Sequence, residues 1–264
     1  MYERALRGKE KAWGPEHTST LDTVNNLGLF YADQGRFDDA EAMYERALRG
    51  QEKAWGPEHT STLNIINNLG NLYKSQDRFD DAEAMYERAL RGKEKAWGPE
   101  HTSTLNTVNN LGILYADQGR FDDAEAMYER ALRGYEKPWG PEDTSTLDTV
   151  NNLGNLYKSQ DRFDDAEAMY ERALRGYEKA WGPEHTSTLD TVHNLGLFYA
   201  DQSRFDDAEA MYERALRGYE KAWGPEHTST LNIINDLGNL YADQGRFDDA
   251  EAMYERALQG KDQL

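Results

Sequence analysis

Apolar positions recur along the chain in two alternating registers, each with the period of a helix. Leu21, Val24, Leu27, Gly28 and Tyr31 follow the i, i+3, i+4, i+7 spacing that gathers side chains on one helix face. The spacing predicts a first helix, helix A, starting near Thr18 to Thr20, where Ser19 and Asp22 read as a short capping box. Gly35 is placed to end it in left-handed backbone conformation. Ala40, Met43, Tyr44, Ala47 and Leu48 make a second stripe, and Asp38 with Glu41 reads as a second capping box behind Phe37. Helix B therefore opens there and runs towards Trp55, where Gly56-Pro57-Glu58-His59 forms a loop. Each helix, at about fifteen to seventeen residues, is marginal alone in water, so stacking between neighbours has to supply the stability.

The whole pattern repeats every 42 residues, with methionine marking the register at Met1, Met43, Met85, Met127, Met169, Met211 and Met253. The expected organisation is one repeat array over 1–264: a partial repeat at 1–20, full repeats at 21–62, 63–104, 105–146, 147–188 and 189–230, and a shortened one at 231–264. Met1 to Trp13 is a helix B without its helix A, so the chain reads as a piece of a longer array. Apolar surface meant for a neighbour would then be open to end-to-end stacking. Pro138, where other copies carry Ala, is expected to end or kink its helix B early.

Composition narrows the function classes. With no cysteine there is neither a disulfide framework nor a thiolate metal site. No apolar run approaches the roughly 18 residues of a membrane span and no leader pattern opens the chain, so it reads as soluble and cytoplasmic. Forty-nine acidic against thirty basic residues give a formal charge of -19, which disfavours nucleic acid and anionic membranes as partners. Solubility of a long exposed array accounts for this acidity, as does a field for basic partners.

Val24-x-x-Leu27-Gly28-x-x-Tyr31 followed by Ala40-x-x-x-Tyr44-x-x-Ala47 resembles the tetratricopeptide repeat, with Val for its Trp and Tyr for its Phe. The usual period there is 34; this unit is longer and places its Pro after an extended helix B. Asn25-Asn26-Leu27, Ala40-Glu41, Arg46-Ala47-Leu48 and Gly56-Pro57-Glu58-His59 resemble strings of kinesin light chains and of the repeat tails of fungal nucleotide-binding receptor-type (STAND) ATPases. The resemblance implies an all-α fold, a right-handed superhelical solenoid of antiparallel helix pairs. It also implies a protein-interaction scaffold whose concave wall, lined by helix A, holds an extended peptide or protein segment.

Differences between the copies gather on helix A, whereas Phe37 to Leu48 is invariant. At 100° per residue, Asp22, Asn25, Asn26, Leu29, Ala32 and Asp33 fall opposite the buried set, and all six positions vary. Leu29 becomes Asn71, Ile113, Asn155, Leu197 and Asn239; Ala32 and Asp33 become Lys74 and Ser75, then Lys158 and Ser159. The candidate peptide-binding residues are Leu29, Asn71, Ile113, Asn155, Leu197, Asn239, Lys74 and Lys158 together with Asn25, Asn26, Asn67, Asn68, Asn109, Asn110, Asn151, Asn152, His193, Asn194 and Asn235. Two accounts of the variation stand side by side: a diversified binding surface, or duplication of a two-unit block followed by drift. The Asn amides likewise serve either a ligand backbone or a neighbouring helix.

Other constellations point away from chemistry. His17, His59, His101, His185 and His227 lie a full repeat apart and cannot converge on one ion, and Asp143 replaces the His in one copy, so a structural loop role is expected. The tryptophans at the helix B ends suggest seam packing, and Asp38-Asp39 suits the positive end of a helix. No phosphate-binding loop or nucleophile elbow occurs. No cofactor, metal or enzymatic activity is expected. A structural spacer or self-assembly element is the alternative to a binding module.

Overall fold

The computed structural model describes residues 2–261, and among them every regular element is a helix. In chain order these are α1 (Tyr2–Trp13), α2 (Thr18–Asp33), α3 (Phe37–Trp55), α4 (Thr60–Lys74), α5 (Phe79–Trp97), α6 (Thr102–Asp117), α7 (Phe121–Trp139), α8 (Thr144–Ser159), α9 (Phe163–Trp181), α10 (Thr186–Asp201), α11 (Phe205–Trp223), α12 (Thr228–Asp243) and α13 (Phe247–Lys261). Even-numbered helices from α2 onward are helix A, and odd-numbered ones are helix B. The fold is all-α, a solenoid-like repetition of helix pairs. Two compact units divide the chain, one ending at Tyr135 and the other starting at Glu136. In the first, α2 packs on α3 and α4 on α5, with α1 on α2, α3 on α4 and α5 on α6 across the seams. In the second, α8 packs on α9, α10 on α11 and α12 on α13, with α9 on α10 and α11 on α12 between pairs.

The predicted apolar stripe forms the core. Leu21, Val24, Leu27 and Tyr31 are buried, as are Ala40, Tyr44 and Ala47 facing them, and the pattern repeats through both units. Gly28 permits this closeness: a Cβ there would sit 2.9 Å from the Tyr44 ring. Thr20 and Thr23 are buried as well. The position after Leu29 also turns inward in later copies, where Leu72, Leu114, Leu156, Phe198 and Leu240 are buried while Phe30 is exposed.

The helix ends differ from expectation in chemistry more than in place. Helix A does start at Thr18, but its capping residue is His17, whose Nδ1 accepts from the Ser19 N–H at 3.2 Å; Ser19 makes no capping box. Asp143 does the same through Oδ1 at 2.9 Å, so His and Asp are interchangeable here because both present an acceptor to an orphan N–H. Helix B begins at Phe37 behind Arg36 with no side-chain cap, and Asp39 is held by the Arg36 guanidinium instead. Asp38 and Asp39 still lie in the first turn, where the helix dipole favours carboxylates. Gly35 ends helix A at φ 70, whereas Asp77, Asp161 and Ser203 hold the equivalent left-handed position at φ 58.

Pro138 does not shorten its helix: α7 runs its full 19 residues to Trp139. Only one N–H is forfeited so near the end, and Gly140 N still donates to Glu136 O at 2.9 Å. The tryptophans are not seam residues either. Trp55 is 49% exposed and its ring stands edge-on to His59, 4.0 Å between centroids; Trp181 and Trp223 lie tilted beside His185 and His227, at 4.2 and 4.5 Å. Where the cap is a histidine, the Trp packs beside the imidazole that caps the next helix A; Trp139 precedes Asp143 instead.

Candidate functional site

The helix A residues facing away from the core are joined across repeats into a polar ladder. Asn68 Nδ2 donates to Asn25 Oδ1 at 3.1 Å, and Thr107 Oγ1 donates to Asn67 Oδ1 at 3.0 Å. Asn110 Nδ2 donates to Asn71 Oδ1 at 3.3 Å. In the second unit the Asn25–Asn68 register is occupied by His193 and Asp236, with Nε2 and Oδ2 2.7 Å apart. Two substitutions that each occur in one copy thus meet. Amides of this face do bond neighbouring helices, and each of these bonds uses part of an Asn's capacity for donors and acceptors.

Lys74 pairs with Asp117 at 3.1 Å and Lys158 with Asp201 at 2.5 Å, so the basic residues of the second and fourth copies neutralise an acid of the following one. Asn26 is exposed and lines a cleft of about 210 Å3 with Asp22, Asn25, Ser61, Asn64 and Ile65. Leu29 is 50% exposed, while Ile113 and Leu197 are half-buried. Asn109, Asn110, Asn151, Asn152, Asn194 and Asn235 are half-buried on the same face, and the Asn151 Oδ1 is buried without a partner.

Sequence reasoning missed the tyrosine of helix B. Its ring is core, but its hydroxyl surfaces between helices A at the position of Leu29. Where that position is Asn, the amide oxygen takes the phenol: Tyr86 donates to Asn71 at 2.6 Å, Tyr170 to Asn155 at 2.6 Å and Tyr254 to Asn239 at 2.8 Å. Where it is Leu29, Ile113 or Leu197, the hydroxyls of Tyr44, Tyr128 and Tyr212 have no hydrogen-bond partner among the described residues. Burial, with Asp33 nearby, pushes the Tyr44 phenol up to about 12. The alternation at position 29 was the available signal, since an Asn recurring opposite an invariant Tyr invites a bond.

A second missed position is on helix B. Gln51 donates to Asp22 at 3.0 Å, Tyr135 to Asn106 at 2.5 Å, and Tyr177 and Tyr219 to Asp148 and Asp190. Lys93 takes this place in the second copy and is 3% exposed, donating to Ser103 O at 3.2 Å and Thr107 Oγ1 at 2.9 Å. With no carboxylate beside it, burial lowers its ammonium to about 8. Among the described residues no three His, Cys, Asp or Glu side chains gather to hold a metal ion, and no helix is long and apolar enough to cross a membrane.

Known proteins place this geometry in a family. The tetratricopeptide repeat model matches residues 1–53, 18–95, 94–137, 145–221 and 187–263. No curated protein sequence matches the chain. The solved structure of BtubC (BKLC) from P. vanneervenii is similar, with 25% identity and a TM-score of 0.71 over 83% of this chain and 89% of that one. A Podosopora anserina chain assigned as a kinesin light chain, with nearly identical TPR-like repeats, is 23% identical with a TM-score of 0.65 over 78% and 98%. The apo form of the quorum sensor NprR from B. thuringiensis shares the fold at 14% identity, TM-score 0.66, over 98% and 81%. With its repeat model matched along nearly the whole sequence and its helix pairs in the same register, the chain belongs to the tetratricopeptide repeat family.

Proposed function

We propose that this chain is a protein-interaction scaffold that holds an extended peptide or protein segment along its helix A face, and that it is not an enzyme. The observation that carries the reading is the alternation on that face. Apolar Leu29, Ile113 and Leu197 stand among amides at positions that packing leaves free to vary, each beside a phenol with a hydrogen to donate. An extended chain offers what this surface lacks, namely carbonyl acceptors and apolar side chains at short intervals. A solved neighbour described as the apo form of a quorum sensor supports a ligand-holding role for such folds.

The test is capture from a random-peptide library by the native chain and by a triple variant, Leu29→Asn, Ile113→Asn, Leu197→Asn. These substitutions install the residue that the alternate copies already carry and so preserve the fold, which circular dichroism verifies. Peptides retained by the native chain and lost by the variant support the reading; no capture by the native chain overturns it.

Self-association is a second reading, favoured by the apolar side chains Phe247 and Leu258 on α13, 71% and 63% exposed, and Tyr2 and Phe30 near the other end. Phe163 and Phe198, in the same registers within the array, pack together at 6.4 Å, which is the contact a second copy would restore. Light scattering that shows a monomer at every concentration tested overturns it.

A further inference from the structure

The cleft between the first two helix A segments brings together an exposed apolar side chain, a phenol and a carboxylate. It holds about 410 Å3 and is lined by Leu29, Phe37, Leu72, Tyr44, Asn68, Asn71 and their neighbours, Asp33 among them. That volume lies in the range of ligand sites and suits a few side chains rather than a folded domain. Three groups in it are uncommitted. Leu29 is half exposed; the hydroxyl of Tyr44, a residue 1% exposed, has no acceptor among the described residues. The Asp33 carboxylate has no cation partner among the described residues, whereas the equivalent Asp117 and Asp201 are paired with Lys74 and Lys158 of the copy before.

Resting on the helix A reading, we propose that this cleft recognises an apolar side chain adjacent to a basic one within an extended peptide. The apolar side chain covers Leu29, Phe37 and Leu72. A backbone carbonyl of the peptide accepts from the Tyr44 hydroxyl, a donor at the cleft wall with no acceptor among the described residues. Lys or Arg of the peptide meets Asp33. Burial, and then the same carboxylate, raise the Tyr44 phenol, so an anionic acceptor at that hydroxyl beside Asp33 is repelled and a neutral carbonyl is favoured. An acidic motif or a free C-terminal carboxylate is thereby excluded. The net charge of -19 draws basic segments towards the whole surface, while Asp33 fixes where the charge lands. The related clefts at Ile113 and Leu197 offer a phenol but a neutralised acid, so the basic preference belongs to the first.

Fluorescence anisotropy tests this with acetylated, amidated octapeptides in a Gly-Ser background carrying Leu-Lys, Leu-Gln, Leu-Glu or Ala-Lys at the centre. Leu-Lys is expected to bind best, about ten-fold over Leu-Glu at low salt. Asp33→Ser, the residue of the second and fourth copies, abolishes the preference of Lys over Gln but keeps that of Leu over Ala. Tyr44→Phe weakens Leu-Lys about five-fold without loss of helicity. Leu29→Asn removes the apolar wall, occupies the phenol as Asn71 does in the second copy, and removes binding. Equal binding of Leu-Lys and Leu-Glu, or indifference of Leu-Lys to Leu29→Asn, overturns the proposal. If the library yields peptides but the panel does not bind, this cleft fails and the helix A reading survives; if neither binds, both fall.

Discussion

Lys93 makes the sharpest physical claim of the fold. Its ammonium is buried between α5 and α6 with a carbonyl and a hydroxyl for company, and burial lowers it from 10.5 to about 8. A pKa unit corresponds to about 1.4 kcal/mol between protonation states, so keeping the charged form in place at neutral pH costs about 3 kcal/mol. Because the folded value lies below the unfolded one, the unfolded chain holds a proton between pH 8 and 10.5 that the folded chain has released. Stability therefore rises with pH across that window, and the full penalty is present below it. Lys93→Gln borrows the residue of the first copy, where the buried Gln51 donates from Nε2 to Asp22 and leaves its Oε1 without a partner among the described residues, a smaller cost than a buried charge. The variant is expected to be more stable by about 2–3 kcal/mol at pH 7.5, and the gap to shrink by about 1 kcal/mol by pH 9. The assay is urea unfolding followed by helical circular dichroism, with both chains measured at each pH. Buried tyrosines, raised above their usual 10, titrate in both chains and cancel in the difference. A gap independent of pH, or a variant less stable at pH 7.5, refutes the reasoning.

Other substitutions separate satisfied from unsatisfied groups. Tyr86→Phe removes the 2.6 Å bond to Asn71 and should lower stability by about 1 kcal/mol, whereas Tyr128→Phe removes a hydroxyl with no partner among the described residues and should leave the unfolding midpoint unchanged or higher. Asp161→Gly and Ser203→Gly relieve left-handed backbone at φ 58 and should each raise stability by about 0.5–1 kcal/mol in thermal melts. Gly50→Ala places a Cβ 2.5 Å from Leu21 Cδ1 and should destabilise by about 1–3 kcal/mol, while Gly8→Ala, with nothing within 4 Å, should stabilise by about 0.5–1 kcal/mol in the same assay.

The repeat, its two helices and their core were legible because burial imposes a period that a helix wheel detects. Interactions that cross between repeats were not. Asn68 bonds Asn25, and His193 meets Asp236, over a separation of 43 residues, which no pattern within one helix reports. His17 escaped as a cap because imidazole is not among the usual capping side chains, although the Asp143 replacement showed that an acceptor was needed. The tryptophans misled because aromatic area suggests burial, whereas Trp55 needs only the imidazole of His59 as a neighbour. Tyr44 was assigned wholly to the core since its ring belongs there; only its hydroxyl reaches the face where Leu29 varies.

That hydroxyl also separates the two accounts of the variation. Asn at position 29 of the unit accepts from the tyrosine hydroxyl, as Asn71, Asn155 and Asn239 do, whereas Leu29, Ile113 and Leu197 leave that hydroxyl without an acceptor among the described residues. The Tyr44 hydroxyl lies at the cleft wall, where water can reach it, so what Asn adds is the net worth of one intramolecular hydrogen bond, about 1 kcal/mol. Converting Leu29, Ile113 and Leu197 to Asn should therefore raise stability by about 1 kcal/mol per site, measured as an increase in urea midpoint. Under drift alone nothing opposes that gain, and the apolar residues confer no property that the variant lacks. Under selection for binding, the stabilised variant loses peptide capture, and the apolar residues persist because an unmet phenol beside an exposed Leu is what a ligand completes. A variant that is both more stable and equally competent in capture would favour drift; one that is no more stable would remove the argument from the phenol altogether.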